Sequence, residues 1–175
     1  LMGKLNIPVI PPEEAAKLEL SEFARPRFEQ AQQMAPYGLP SNLDAWDGYP
    51  AARERLFAML SAHATNPISL AGDTHNAWAF SLTNAQGEAV GVEWGTPGVS
   101  SPGLESYVPL PPEQMQALLK GASPELVACD TSQRGWTHVT LTPESATVQW
   151  RFVSSVVEPT YQVSAGEPLV AERDT

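Results

Sequence analysis

The chain has 175 residues, 42% hydrophobic and 17% charged, which is enough apolar material for one sizeable domain with its own core. Ten Lys and Arg against twenty Asp and Glu give a formal net charge of −10, and such a surface repels a phosphate backbone, so no nucleic-acid-binding surface is expected. The one cysteine, Cys129, excludes an internal disulfide and a four-cysteine zinc site, and no apolar run approaches the length of a membrane span.

No cleavable signal pattern opens the chain: Leu1-Met2-Gly3-Lys4 leads directly into an apolar piece. Residues 5–10 are expected to form a short strand, with Pro8 placing it at an edge or an end. Pro11-Pro12-Glu13-Glu14 has the chemistry of a helix start. Pro26 breaks the stretch to Met34, so 11–40 reads as irregular surface chain with one or two short helices. Residues 41–49 are loop chemistry, anchored by Trp46 and Tyr49. Pro50 suits the first turn of a helix that runs to about His63. Leu56, Met59 and Leu60 would form its apolar face, and Arg53, Glu54 and Arg55 its wet face.

Asn66-Pro67 ends that helix, and residues 68–71 form a short buried strand. Residues 77–83 and 89–94 pair as a hairpin across Asn84-Ala85-Gln86-Gly87. A loop over 95–103 follows, then a short helix over 112–120 with Gly121 as its stop. Residues 126–130, 136–141 and 147–156 alternate like strands of an antiparallel sheet. Residues 158–175 form a polar tail with one edge strand near 161–163. The sum is an α/β or α+β layer protein: one helix, a strand, then a mostly antiparallel meander with one sheet face turned to solvent or to a partner.

Chemistry concentrates at Gly72-Asp73-Thr74-His75. A strand that emerges into a loop presents its last residues at the sheet edge, where α/β proteins place ligand sites. In an extended stretch Asp73 and His75 point the same way, and a carboxylate with an imidazole suits a divalent or trivalent metal. For an isolated Gly-Asp-x-His the ordinary reading outweighs this one: Asp73 caps a turn and His75 is a satisfied polar residue. Asn42, Asp44 and Asp47 either hold a hard cation or supply caps, Asp47 to the helix that follows. Trp46 and Tyr49 read as packing residues. The loop 96–103 lines a site or is only a well-made turn. Ser100 lacks a local His and acid and is rejected as a nucleophile. Cys129 reads as a buried small hydrophobe; His63 and His138 lack ligand spacing to His75.

Five segments in order carry a resemblance: N-L-D-A-W-D-G-Y-P-A-A-R, S-L-A-G-D-T-H-N-A-W-A-F, V-E-W-G-T-P-G-V-S-S-P-G, D-T-S-Q-R-G-W-T-H-V-T-L-T-P-E and W-R-F-V. Together they resemble the PhoD-like family of alkaline phosphatases, a branch of the metallophosphoesterases. The opening L-M-G-K-L-N-I-P-V is similar to that family's segment with a Gly-Gln-Gln core, from which Lys4-Leu5 departs. The resemblance covers most of residues 1 to about 157. It implies a four-layer αββα sandwich of two mixed sheets with helices outside. It also implies a periplasmic or secreted parent that hydrolyses phosphomonoesters and phosphodiesters with iron and calcium, or a comparable metal pair. The metals of such a centre act as Lewis acids and supply a hydroxide at neutral pH.

By this resemblance Asp73 and His75 are metal ligands, carried over by the G-D-x-H pattern. Asn42, Asp44, Asp47, Tyr49, Asn76 and Arg134 are neighbours of the centre, Arg134 lying in an R-G-W that matches the family's R-G-Y. The family's earlier half carries further Asp, Asn and Cys ligands that this chain lacks, and Cys129 does not replace them. The chain is thus similar to the C-terminal half of the phosphatase domain, contributing one sheet, its helix and two ligands. The remainder of the centre would come from the missing N-terminal half or from a second copy. Two other readings are a non-catalytic half-domain that folds by dimerisation or association, and a carbohydrate- or protein-binding β module. The second leaves Gly72 to His75 without a reason.

Overall fold

A computed structural model describes residues 1–40 and 42–173 of the chain; Ser41, at the start of the expected 41–49 loop, and Asp174 and Thr175 of the expected tail lie outside the described residues. Among the described residues, eight strands form two four-stranded sheets. The first contains β1 (Ile68–Ala71), β2 (Ala77–Thr83), β3 (Ala89–Gly95) and β4 (Leu126–Asp130), in the order β1-β3-β2-β4. The second contains β5 (Arg134–Leu141), β6 (Ser145–Val153), β7 (Val163–Ala165) and β8 (Leu169–Glu172), with β6 pairing all three others. Strands of both sheets are therefore present, where one sheet was expected. β4 pairs β2 in the first sheet and does not continue into the β5–β6 hairpin. β1 runs parallel to β3, so the sheet is mixed and not a simple meander.

The sheets pack face to face. Ala77 and Ala79 of β2 and Trp94 of β3 meet Ala146, Val148, Trp150 and Phe152 of β6 in one apolar layer. The Trp150 indole crosses the gap and donates to the Gly95 carbonyl at 3.2 Å. β6 alternates buried and half-buried residues along its whole length, the period-2 pattern of a strand with one face in a core. The opposite face of the first sheet carries Trp78, Phe80 and Leu82, which pack under α3 (Pro50–His63) and α4 (Pro112–Ala122) with Phe57, Met115 and Leu119. The layers are helices, sheet, sheet.

Four expectations about the helices and ends change. α4 continues through Gly121 to Ala122, because the last turn of a helix tolerates glycine at modest cost. Residues 24–34 form an eleven-residue helix, α2, preceded by a single-turn α1 (Pro12–Ala15); Pro26 sits in the first turn of α2, where its missing N–H has no intrahelical partner to lose. The expected polar tail adds β7 and β8 to the open side of β6. Residues 5–10 form no strand.

Residues 1–6 instead form an extended strap over the first sheet, held by side chains. Glu93 of β3, 1% exposed, accepts the Met2 and Gly3 amides at 2.8–2.9 Å and the Ser69 hydroxyl at 2.9 Å. Glu125 accepts Lys4 N–H at 2.9 Å, and the Ser123 hydroxyl accepts Asn6 N–H at 2.9 Å. The strap lies so close that a Cβ on Gly3 would stand 2.2 Å from the Phe80 ring. A strand would need a neighbour's backbone to pair with; within 5–10 the Leu5, Asn6 and Ile10 amides meet the side chains of Asp47, Ser123 and Gln32 instead.

Arg53, expected on the wet face of α3, is 1% exposed. Its guanidinium donates to the Met2 carbonyl at 2.7 Å, the Thr83 carbonyl at 3.2 Å and the Glu125 carboxylate at 3.0 Å, and lies 4.2 Å from the Phe57 ring centroid. The inward stripe of α3 is thus Arg53, Phe57 and Leu60, while Met59 stands 62% exposed. Burial pushes the Glu125 carboxyl up, but the Thr83 hydroxyl, the Lys4 amide, Arg53 and the Thr83 amide outweigh it, and its pKa falls below the ordinary value. Its contribution to stability is therefore present above the unfolded-state pKa and is lost as pH falls through the folded one. Arg53→Met strands this buried carboxylate and is expected to cost about 3–5 kcal/mol, measured by urea unfolding at pH 7. Adding Glu125→Gln in the same chain is expected to recover part of the loss.

Candidate functional site

The strand order brings five chain segments to one edge of the first sheet. Because β1 and β3 are parallel, with Ala71 opposite Gly95, both end at that edge. β2 begins there, with Ala77 opposite Asp130 at the end of β4. β5 starts four residues later, at Arg134. The loops 72–76, 96–103 and 131–133 therefore meet at the carboxyl ends of β1 and β3, the position at which open α/β sheets hold ligands.

Loop 72–76 is not extended. Asp73 and His75 both adopt left-handed φ, 68° and 61°, so the expectation that they share a direction through strand alternation does not apply. Thr74 is fixed twice: its N–H donates to the Gly72 carbonyl at 2.8 Å, and its hydroxyl accepts the Trp78 indole N–H at 2.7 Å. The half-buried His75 turns Nδ1 to the Pro102 carbonyl at 3.0 Å. The exposed Asp73 carboxylate makes no hydrogen bond or ion pair among the described residues.

A cleft of about 120 Å³ opens beside this loop. Asn42, Asp44, Asp47, Gly72, Asp73 and Thr74 line it, and Leu1, Gly3 and Leu5 of the strap close one side. Three of the expected site residues thus share a cleft with Asp73, while His75, Tyr49, Asn76 and Arg134 do not line it. Asn42 accepts the Asp44 amide at 3.0 Å through its side-chain oxygen and so shapes the turn. Asp47 lies in a 3-10 turn, Trp46–Gly48, and makes no side-chain cap to α3; its Oδ2 accepts the Leu5 amide at 3.4 Å. Trp46 and Tyr49, expected to pack, are 36% and 56% exposed. A larger cleft of about 610 Å³ on the helical side is lined mainly by apolar residues such as Ile7, Phe28, Tyr107 and Leu118 and contains no carboxylate or imidazole.

Asn76 and Arg134 act behind the loop. Asn76, 3% exposed, donates to the Thr74 carbonyl at 2.6 Å and accepts the Leu104 amide at 3.0 Å. Arg134 Nη1 donates to the His75 carbonyl at 2.7 Å. Its Nη2 stands 2.5 Å from Glu105 Oε1 as an ion pair, without the alignment of a hydrogen bond. Glu105 was not expected at the site. Neither was the strap wall, since both reach the loop from distant sequence with no local pattern to announce them. Cys129 is buried in the core under α4, and burial and Asp130 push its thiol up to about 11, so it keeps its proton at neutral pH and is no nucleophile. His63, at the end of α3, and His138, on the outer face of β5, are exposed and remote from loop 72–76 in the fold.

A metal centre takes about three protein ligands. No group of three His, Cys, Asp or Glu side chains suited to a metal ion occurs among the described residues. The donor set of these residues does not by itself fit such a centre.

The chain matches the PhoD-like phosphatase family over residues 14–150. It belongs to that family. It is 28% identical over 138 residues to alkaline phosphatase D of Bacillus subtilis (strain 168), an alignment that takes in 76% of this chain and 23% of that protein. A solved structure described as "Structure of PhoD" superposes with a TM-score of 0.57 at 24% identity, covering 75% of this chain and 25% of the other. The chain thus spans about a quarter of the length of each relative. The shared architecture is the mixed α/β sandwich that the sequence implied. No helix among the described residues is long and apolar enough to cross a membrane.

Within this PhoD-like frame the Asp47 carboxyl is held at a cost. Its pKa is raised, chiefly by burial, against the opposing pull of the Leu5 amide, Arg53 and Lys4. The folded state therefore binds the proton more readily than the unfolded chain, and the ionised form destabilises the fold above the folded-state pKa. Asp47→Asn is expected to raise Tm at pH 7, with the gap closing as pH falls and the native carboxyl takes up its proton. Scanning calorimetry of both chains between pH 4 and 7 checks this.

Proposed function

We propose that this chain is one wall of the active site of a metal-dependent phosphatase or phosphodiesterase, and that the ligands it lacks come from outside it. The observation that carries the reading is the cleft beside the carboxyl end of β1, which Asp44, Asp47 and Asp73 all line, in a chain of the PhoD-like family. Three carboxylates around a small cleft repel a phosphate ester and attract cations; bound cations reverse that field and make the same cleft a phosphate site. Asp73 has its carboxylate free to ligate, and Asp47 is a carboxylate whose burial raises its pKa, a trait found at functional sites. In this reading Asp73 and His75 ligate the metals, iron and calcium or a comparable pair, and Asn42, Asp44, Asp47 and Tyr49 surround them. The substrate is a phosphate ester, and the parent acts in the periplasm or outside the cell.

Two measurements test it. Residues 14–150 placed in Bacillus subtilis alkaline phosphatase D in exchange for its matching segment are expected to retain hydrolysis of an aryl phosphate. Asp73→Ala in that chimera is expected to lower kcat by about a hundredfold or more, the order that a misplaced reacting centre loses. A folded but inactive chimera, judged by circular dichroism, sinks the proposal and favours a non-catalytic half-domain. The isolated chain is expected to bind metal weakly, with elemental analysis giving less still for Asp73→Ala and His75→Ala, and to turn over little substrate. Robust turnover by the pure chain, shown to be monomeric by size-exclusion chromatography, excludes the idea that ligands are supplied from outside.

A further inference from the structure

Loop 72–76 holds two non-glycine residues in the left-handed region within three positions. L-residues avoid that region because Cβ crowds the following carbonyl, and such conformations persist only where their surroundings over-determine them. The grip here comes from distant sequence. The His75 carbonyl accepts two donors, Gly98 N–H at 3.1 Å and Arg134 Nη1 at 2.7 Å. Asn76 ties the loop to Leu104, whose 3-10 turn (Leu104–Ser106) also carries Glu105. Gly103 closes the cluster: a Cβ there would lie 2.3 Å from Asn76 Oδ1, 2.8 Å from Glu105 Oε2 and 3.0 Å from Arg134 Nη1.

We propose that Arg134, paired with Glu105, is a positioning residue that locks Asp73 and His75 in their left-handed form and so fixes where the Asp73 carboxylate and the His75 ring point. This rests on the reading of the loop as metal-binding. The chemistry asks for arginine. Its planar fork, 7% exposed, spans a carbonyl on one side and a carboxylate on the other. A lysine ammonium reaches both acceptors only with a different stem geometry. Glu105 has a second task. It neutralises the guanidinium next to a loop that is to accept a cation, where an unpaired positive charge would oppose binding. Its Oε2 is buried without a hydrogen bond, a cost that packing alone does not explain.

The test follows the donors that report on the loop: the Gly98 and Leu104 amides and the Trp78 indole N–H. In the isotope-labelled 175-residue chain, Arg134→Gln is expected to speed their hydrogen exchange by about tenfold or more, while the Val148 and Trp150 amides of β6 keep their rates. Arg134→Lys is expected to rescue little, and Glu105→Gln, milder for folding, to give a smaller acceleration of the same groups. Uniform acceleration that includes β6, or none at all, overturns the lock. Manganese(II) added to the same samples separates the two readings. Broadening of the Asp73 and His75 signals that weakens in Arg134→Gln supports both. Undiminished broadening in Arg134→Gln overturns the lock and leaves the metal reading standing. A loosened loop without broadening in the native chain leaves the lock standing and overturns the metal reading.

Discussion

A buried charge network, more than any apolar contact, organises this chain. Arg53 reaches from α3 through the core edge to Glu125, and Glu93 waits on β3 for the backbone of residues 2 and 3. Buried charges are tolerated only when partnered. Without the strap, the strap-facing oxygens of Glu93 lack their donors and the Arg53 Nε–H lacks its acceptor. Arg53 thereby ties residues 1–6, α3 and the first sheet together. The strap has no sheet ladder of its own, yet it forms a wall of the acidic cleft, so the network that secures it also shapes the site.

The site depends in turn on one topological fact. β1 is parallel to β3, and both strands deliver their following loops to the same edge. An antiparallel β1 would carry loop 72–76 to the far end of the sheet. The loop that results is short, strained and fixed from behind by Asn76, Trp78 and Arg134. Its backbone is held so that Asp73 need make no bond of its own. Rigidity on the protein side and a free carboxylate on the cleft side are what a ligand site requires.

The cleft is incomplete in a specific way. It gathers carboxylates, while the one nearby imidazole holds a carbonyl at Nδ1. The chain belongs to the PhoD-like family and corresponds to about a quarter of the length of its relatives.

Sequence by itself determined what depends on local pattern. The period-2 alternation of β6, the hairpin across residues 84–87, the Pro50 start and His63 end of α3, and the turn-bounded β1 are all written in near neighbours. Motif order was enough to point to the family and to loop 72–76. Tertiary structure alone decided the rest. Arg53 is charged and helical, so by pattern it belongs in water; only the positions of Met2, Thr83 and Glu125 make burying it tolerable. Residues 5–10 form no strand; their amides at Leu5, Asn6 and Ile10 go instead to the side chains of Asp47, Ser123 and Gln32, 22 to 117 residues away. The left-handed Asp73 and His75 defeat any argument from extended spacing, since the contacts that enforce their backbone lie on β3's loop and on β5. Hydrophobic periodicity reports what a residue does alone; burial of charge and backbone strain report what its distant partners permit, and no window along the chain contains those partners.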